Sequence, residues 1–420
     1  MRRTVAAPLL NCRAYVNPKV CHTIMEKALL PRLGRQFLGL MVTFASCISA
    51  AAAGNLSVTS WNLEHMMSEI IFDEWAAFCV KYGWDEDKVK AAGAVKPKQL
   101  TYCNAHNGFL YPTLVLESKP LQSRAAFAEK VAALVKRRSE LNSDVFALQE
   151  VSDEAAVRRV FPALDWEVFT TKAAIPQNIA FAVRKSAGLK IISSRQLDEL
   201  AQKDDNGHQV RPGLELTVAH EGKRLTLLNV HLKASCRAQL LSDPKRPGYA
   251  DDKRWEEIQQ GCKVMRKQAP VLEAWVEAQT RARAQYMILG DWNRDLKRDL
   301  ALPVRLTEGE NPKSPITDNT RIGSLLKEIS DNEPPGAWLA VVFPSIAART
   351  KTIKAPDQKK PDPVCHQGID NFALSDSLIK SMGVDKITLV ASGADYGPEA
   401  YGVDKARPSD HCPVTLNLPW

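Results

Sequence analysis

The feature that most constrains this chain is where its polar residues fall. Strand-like apolar runs repeatedly end on, or open from, side chains suited to metal or phosphate chemistry. The run Leu56 to Trp61 leads into Asn62 and Glu64, and the run from Val145 ends at Gln149 and Glu150. The run Leu225 to Val230 ends at His231, and the run Tyr286 to Leu289 leads into Gly290, Asp291, Trp292 and Asn293. Gly368 and Asp370 open a further run, and Ser409, Asp410 and His411 stand just before the last. Side chains at strand ends are held rigidly and can converge at one edge of a sheet.

Further strand-like runs are Ile179 to Val183, Leu214 to Val218, Ile387 to Ala391 and Cys412 to Leu416. Helical patterns lie between them. Arg124 to Arg138 places Phe127, Val131, Leu134 and Val135 on one face, and Asp252 to Arg283 is a longer stretch with an expected break at Pro270. Strands alternating with long helices predict an α/β fold. At 45% hydrophobic and 25% charged, the 420 residues suffice for a large core. No Gly-, Ser- or Pro-rich linker divides residues 55–420, so they read as one domain with an insertion around 66–120.

The net charge of +8 points less to nucleic acid than it first suggests, because residues 1–54 carry +6 of it. Overall basicity therefore gives no argument for a polyanionic partner. Those 54 residues have the order of an export signal: Lys27, Arg32 and Arg35, an apolar run from Phe37, then small residues from Ala50 to Gly54. Cleavage near Ala53 and a periplasmic or secreted product are expected, with an N-terminal membrane anchor as the competing reading. After removal of a signal, no stable membrane insertion is expected.

Export changes how cysteines are read. Beyond residue 54 stand Cys79, Cys103, Cys236, Cys262, Cys365 and Cys412, an even number with no close Cys-x-x-Cys pair. Cys79–Cys103 and Cys236–Cys262 would each close a local loop, leaving Cys365–Cys412 by elimination; buried free thiols are the alternative.

Glu150, Asp291, Asp370 and Asp410 would repel one another if gathered without a cation. Hard oxygen donors of this kind suit Mg²⁺, Mn²⁺ or Ca²⁺ and argue against a sulfur-and-imidazole zinc site. His231 and His411 can contact phosphate or move protons, and Asp370 could fix the tautomer of His411. Singly these signals are weak; a Gln-Glu pair is usually solvated, and a Gly-Asp-Trp-Asn run is usually a turn.

The ordered set closely resembles the endonuclease/exonuclease/phosphatase superfamily, which shares the deoxyribonuclease I fold. The matching elements are Trp61-Asn62, Gln149-Glu150, His231, Gly290-Asp291-Trp292-Asn293, Asp370 and Ser409-Asp410-His411, across residues 55–420. The resemblance implies a two-sheet α/β sandwich with flanking helices, a site at one edge, and Mg²⁺-dependent phosphodiester hydrolysis. It implies Asn62, Glu150 and Asp410 on the metal side, with Glu150 a direct ligand. It implies His231 against the scissile phosphate, Asp291 orienting the attacking water, Asn293 positioning phosphate, and Asp370 pairing with His411. Arg211 resembles an arginine that contacts substrate phosphate. The chain departs from some deoxyribonuclease-like members at Gln177, Asn178 and Ile179, where no acid stands.

For the substrate, His366 to Asp370 lacks the Trp-Cys-Asp-Arg pattern of phosphoinositide phosphatases. No apolar hairpin of a membrane-acting lipase is visible. Lys233, Arg237, Lys245 and Arg246, then Lys351, Lys354, Lys359 and Lys360, make the neighbouring loops basic. Basic loops beside a phosphate site suit a nucleic-acid backbone. A nuclease is the expectation. A sphingomyelinase-like lipid phosphodiesterase or a phosphatase of the same superfamily is the alternative, and a non-enzymatic binding protein the least favoured. No protein partner is implied.

Overall fold

The computed structural model describes residues 55–105, 123–205, 207–242, 251–303, 322–343, 352–353, 362–363, 368–383, 386–391 and 409–420. The expected export signal and the lysines and arginine at 245, 246, 351, 354, 359 and 360 lie outside these residues.

The strands are β1 (Asn55–Met66), β2 (Val145–Val151), β3 (Trp166–Thr170), β4 (Asn178–Arg184), β5 (Lys190–Leu197), β6 (Gly213–His220) and β7 (Lys223–His231). They continue with β8 (Tyr286–Asp291), β9 (Leu339–Val342), β10 (Thr352–Ile353), β11 (Asp362–Pro363), β12 (Asp370–Ser375), β13 (Thr388–Ala391) and β14 (Val414–Pro419). Two mixed six-stranded sheets result, ordered β13-β14-β1-β2-β4-β3 and β5-β6-β7-β8-β12-β9, with β10 and β11 a small separate pair.

Alternation along each strand decides what lies between the sheets. Val58, Val145, Ala147 and Phe181 of the first sheet pack against Leu225, Leu227, Met287, Leu289, Phe372 and Leu374 of the second. The opposite parity faces helices. Trp61, Phe146 and Leu148 meet α1 (Glu69–Cys79), α3 (Arg124–Leu141) and α4 (Glu154–Val160) through Phe72, Phe127 and Val157. Leu228, Val230 and Ile288 meet α5 (Asp252–Arg281) through Met265, Leu272 and Trp275. The expected α/β sandwich with flanking helices is therefore the observed architecture.

One helix expectation needs correction, and a second gains a polar contact. α5 runs unbroken through Pro270. A proline inside a helix costs roughly 3 kcal/mol, and Met265, Gln268, Ala269 and Leu272, all buried, hold the helix to the sheet on both sides of it. In α3, Phe127, Val131, Leu134 and Val135 pack on one core cluster as expected, Val131 and Val135 half-buried, and Lys130 and Arg137 are buried beside them. The helix is turned so that Lys130 Nζ donates to the carbonyl of Glu64 at 2.6 Å, a contact apolar patterning cannot foresee.

Cys79–Cys103 and Cys236–Cys262 are disulfides, as expected. Cys412 is disulfide-bonded too, and its expected partner Cys365 lies outside the described residues. Among the described residues no helix is long and apolar enough to cross a membrane.

Gly290 fixes how closely β7 and β8 approach. Its φ is +131°, and a Cβ there would stand 2.1 Å from the carbonyl oxygen of Val230 and 2.9 Å from Asn229 Oδ1. Gly290→Ala is expected to cost at least about 3 kcal/mol, combining backbone strain with overpacking. Urea unfolding of the two proteins checks this; a loss below about 1 kcal/mol would mean that the strands can move apart there.

Candidate active site

The parity that builds the core also builds the site. Continuing the inward positions of β7, β8 and β12 beyond Leu227, Leu289 and Phe372 gives His231, Asp291 and Asp370. The three are cross-strand neighbours, His231 opposite Asp291 and Asp291 opposite Asp370. On the facing sheet the inward positions of β1 and β2 reach Asn62 and Gln149, which are also paired. Buried Gln149 bridges the sheets: its Nε2 donates to Asn229 Oδ1 at 2.8 Å, while Asn229 Nδ2 donates to the carbonyls of Leu148 (3.0 Å) and Ala180 (2.9 Å). Buried hydrogen bonds of this kind fix the relative position of two sheets.

Simple alternation would turn Glu150 away from Gln149 and out of the site. A register shift between Leu148 and Val151, with Glu150 at φ 58°, re-aims it. β1 carries a matching irregularity between Asn62 and Met66, with Glu64 at φ 50° and His65 at φ 53°. Left-handed non-glycine residues cost about 1–3 kcal/mol each and gather at functional sites.

These devices bring the expected residues together. His231 Nε2 lies 3.3 Å from Asp291 Oδ2 and 3.8 Å from Glu150 Oε1. His411 Nδ1 lies 2.8 Å from Asp370 Oδ2, and its Nε2 lies 3.8 Å from Asp291 Oδ2 and 3.9 Å from Asp410 Oδ1. Asn62 Nδ2 donates to Asp291 Oδ2 at 3.1 Å. The Ser409 hydroxyl donates to the Asn62 carbonyl at 2.6 Å and accepts from the His411 N–H, so the turn before β14 is tied to β1. The Asn293 N–H donates to Asp291 Oδ1 at 2.8 Å, and its side-chain amide donates to the Leu232 carbonyl at 3.0 Å. Arg211, half-buried, brings its guanidinium against His231 Nε2 and within 3.3 Å of the Leu232 carbonyl. Asn178 stands in the stretch that departs from some deoxyribonuclease-like members, and its contacts are structural. It accepts from Thr171 Oγ1 and the Ala173 N–H and donates to the Ser152 carbonyl.

Burial and crowding set the charges. Asp291 is pushed up to about 7, first by burial and then by Asp370 and Glu150, against the opposing pull of His411 and the Asn293 N–H. Burial would also raise Glu150, but His65, His411 and Arg211 hold it below the usual carboxylate value. His231 is pushed well below its ordinary value by burial and by Arg211, His411 and His65. Burial works against a charged His411 as well, yet Asp370, Asp410 and Asp291 raise it well above 6.5. The pair of histidines is thus split into a neutral one and a protonated one.

The donor set fits a hard divalent cation. Carboxylates crowd until one of them rises to about 7, and Asp370 Oδ1 is buried with no hydrogen-bond partner among the described residues. Asp291, Asp370 and His411 bring ligand atoms within 4.8 Å of one another. Asp370 and His411 are already joined there by their own hydrogen bond. Glu150, partly open to solvent and adjoining Asn62, is the better place for an ion.

Three supports are absent from the sequence reading. His65 falls at the edge of the insertion, yet it packs on Glu150. Its one sequence signal is its place three residues after Asn62. Lys130, fully buried, holds the β1 irregularity through the Glu64 carbonyl and stands 3.5 Å from Glu64 Oε2. Arg294, also fully buried, pairs with Asp299 and donates to the carbonyls of Cys236 and Gln239. It thereby binds the turn after β8 to the segment after β7. A lysine or arginine at such positions looks like surface until its partners are known.

No family model and no curated protein sequence matches the chain. Solved structures similar to it include ANGEL2, a 2',3'-cyclic phosphatase in complex with adenosine-2',3'-vanadate, at 14% identity over 87% of this chain and 95% of that one, TM-score 0.46. Another is D. rerio TDP2 complexed with a single-strand DNA product, at 15% identity over 87% and 98%, TM-score 0.42. A third is the endonuclease/exonuclease/phosphatase from Bacteroides vulgatus, at 10% identity over 87% and 98%, TM-score 0.42.

Proposed function

We propose that this chain is an exported, divalent-metal-dependent phosphodiester hydrolase of the endonuclease/exonuclease/phosphatase superfamily, acting on a nucleic-acid backbone. The observation that carries the reading is the convergence, between the two sheets at one edge, of Glu150, His231, Asp291, Asp370 and His411 from separate segments, with contacts of 2.8–3.8 Å.

A divalent cation held by Glu150, with Asn62 and Asp410 beside it, supplies polarisation of a phosphoryl oxygen when bound. The chain's own residues account for the rest. Water adds to phosphorus and the bond from phosphorus to the leaving oxygen breaks. Asp291, with a carboxyl near 7, receives the proton of that water. Protonated His411, held by Asp370, donates to a phosphoryl oxygen. Arg211 moves from His231 onto the phosphate, and His231 and Asn293 complete the cradle. The leaving oxygen takes its proton from solvent or a histidine.

Arg211 and Lys233 support an anionic polymer. The Lys233 ammonium is lowered by burial and then by Arg211, so the two basic groups lie near one another. Export accords with the disulfides, Cys79–Cys103 and Cys236–Cys262 among them. One observation favours a lipid substrate instead: among the described residues, Ile70, Val80, Val95 and Tyr102, all in the insertion, are exposed large apolar side chains.

One assay separates the two. Purified protein is incubated with plasmid, RNA and sphingomyelin vesicles, with Mg²⁺ or with chelator. Plasmid or RNA cleavage is expected. It should be abolished by chelator and fall about 10²–10⁴-fold in His231→Ala. Vesicle hydrolysis with intact nucleic acid would overturn the nuclease reading and leave the phosphodiesterase one.

A further inference from the structure

The insertion after β1 has a second point of contact with the site. Thr101, which is buried, places its hydroxyl 3.1 Å from His65 Nδ1. The other ring nitrogen of His65 lies 3.5 Å from Glu150 Oε2, and the main-chain N–H of His65 donates to that same oxygen at 3.1 Å. Both contacts address Oε2, while Oε1 is turned toward His231. Thr101 is itself held from two sides. The neighbouring Cys103 is bonded to Cys79 at the end of α1, and its N–H donates to Glu86 Oε2 at 2.9 Å. Next to Thr101, the Tyr102 carbonyl accepts from Trp75 Nε1 at 3.1 Å.

We infer that Thr101 and His65 are positioning residues for the metal-binding carboxylate, and that the disulfide-closed insertion serves to hold them there. The inference rests on the reading that Glu150 binds the cation. Partners that orient a ligating carboxylate typically change metal affinity by about 10–100-fold when removed. Thr101→Val keeps the shape and removes the hydroxyl. His65→Asn removes the ring's reach, yet asparagine tolerates the left-handed backbone that His65 adopts at φ 53°. Thr101→Ser keeps the hydroxyl.

The test is Mn²⁺ binding to the full-length protein by titration calorimetry, with no substrate present. Thr101→Val and His65→Asn are expected to raise the Mn²⁺ Kd about tenfold or more. Thr101→Ser should stay within about twofold of the unaltered protein, a rescue that general loosening of the insertion would not produce. Glu150→Gln is the control. If it loses Mn²⁺ while Thr101→Val and His65→Asn bind it normally, the positioning inference falls alone. If Glu150→Gln binds Mn²⁺ unchanged, the inference falls together with the reading of the metal site.

Discussion

Replacing Asp291 with asparagine is expected to produce two opposite effects: a fall in turnover of about 10²–10⁴-fold and a gain in stability of the metal-free protein at pH 8. The carboxyl is raised from 3.8 to about 7 in the fold. The folded state therefore holds the proton more tightly than the unfolded chain. The stability linked to that proton is full at low pH and is lost as pH rises through 7. About three pH units at roughly 1.36 kcal/mol each set an upper bound of about 4 kcal/mol. Urea unfolding with chelator at pH 5 and pH 8 checks the sign. The variant should gain more at pH 8 than at pH 5, where the native carboxyl is already neutral. A variant less stable than the native protein at both values would contradict this account of the site's electrostatics. A gain in stability with loss of activity is the mark of a residue kept for its chemistry.

The second large effect is expected from Asp370→Asn. The change keeps the size of the side chain and removes the charge beside His411. Turnover should fall by about 10²–10⁴-fold, the range expected when a carboxylate no longer orients and charges its histidine. The pH profile gives a sharper signature. In the proposed reaction His411 acts protonated, so activity is expected to fall as pH rises through its folded pKa, which Asp370 helps to raise. In the variant the alkaline limb should move to lower pH. The stability signature follows the same sign. The His411–Asp370 pair stabilises fully below about 6.5 and fades as pH climbs through the raised folded value. An alkaline limb that stays in place would show that His411 is not the group titrating there.

The legible part of the fold and the illegible part divide along a physical line. Interior strands can be read from apolar runs because both faces of β2, β4, β7, β8 and β12 are buried. β3 and β5, whose runs are broken by polar residues, lie at sheet edges. β5 shows why: Lys190, Ser193, Ser194 and Arg195 are exposed, so the strand offers no apolar pattern. The site is legible because its residues extend the inward parity of buried strands, so Asn62, His231, Asp291 and Asp370 can be found by position. His65, Thr101, Lys130 and Arg294 cannot. Their roles depend on partners roughly 30 to 85 residues away, such as Glu150 for His65 and Cys236 for Arg294. Glu150 is found by motif, although plain alternation points it outward; the irregularity in β2 that corrects this has no signature in the run Val145 to Val151.

The most direct measurement is the position of a bound ion. In crystals of the native protein soaked with Mn²⁺, anomalous scattering should show an ion ligated by the Glu150 carboxylate, within reach of Asn62 and Asp410, and the peak should vanish in Glu150→Gln. An Mn²⁺ ion seated elsewhere, or undiminished phosphodiester cleavage in the presence of chelator, would contradict the account.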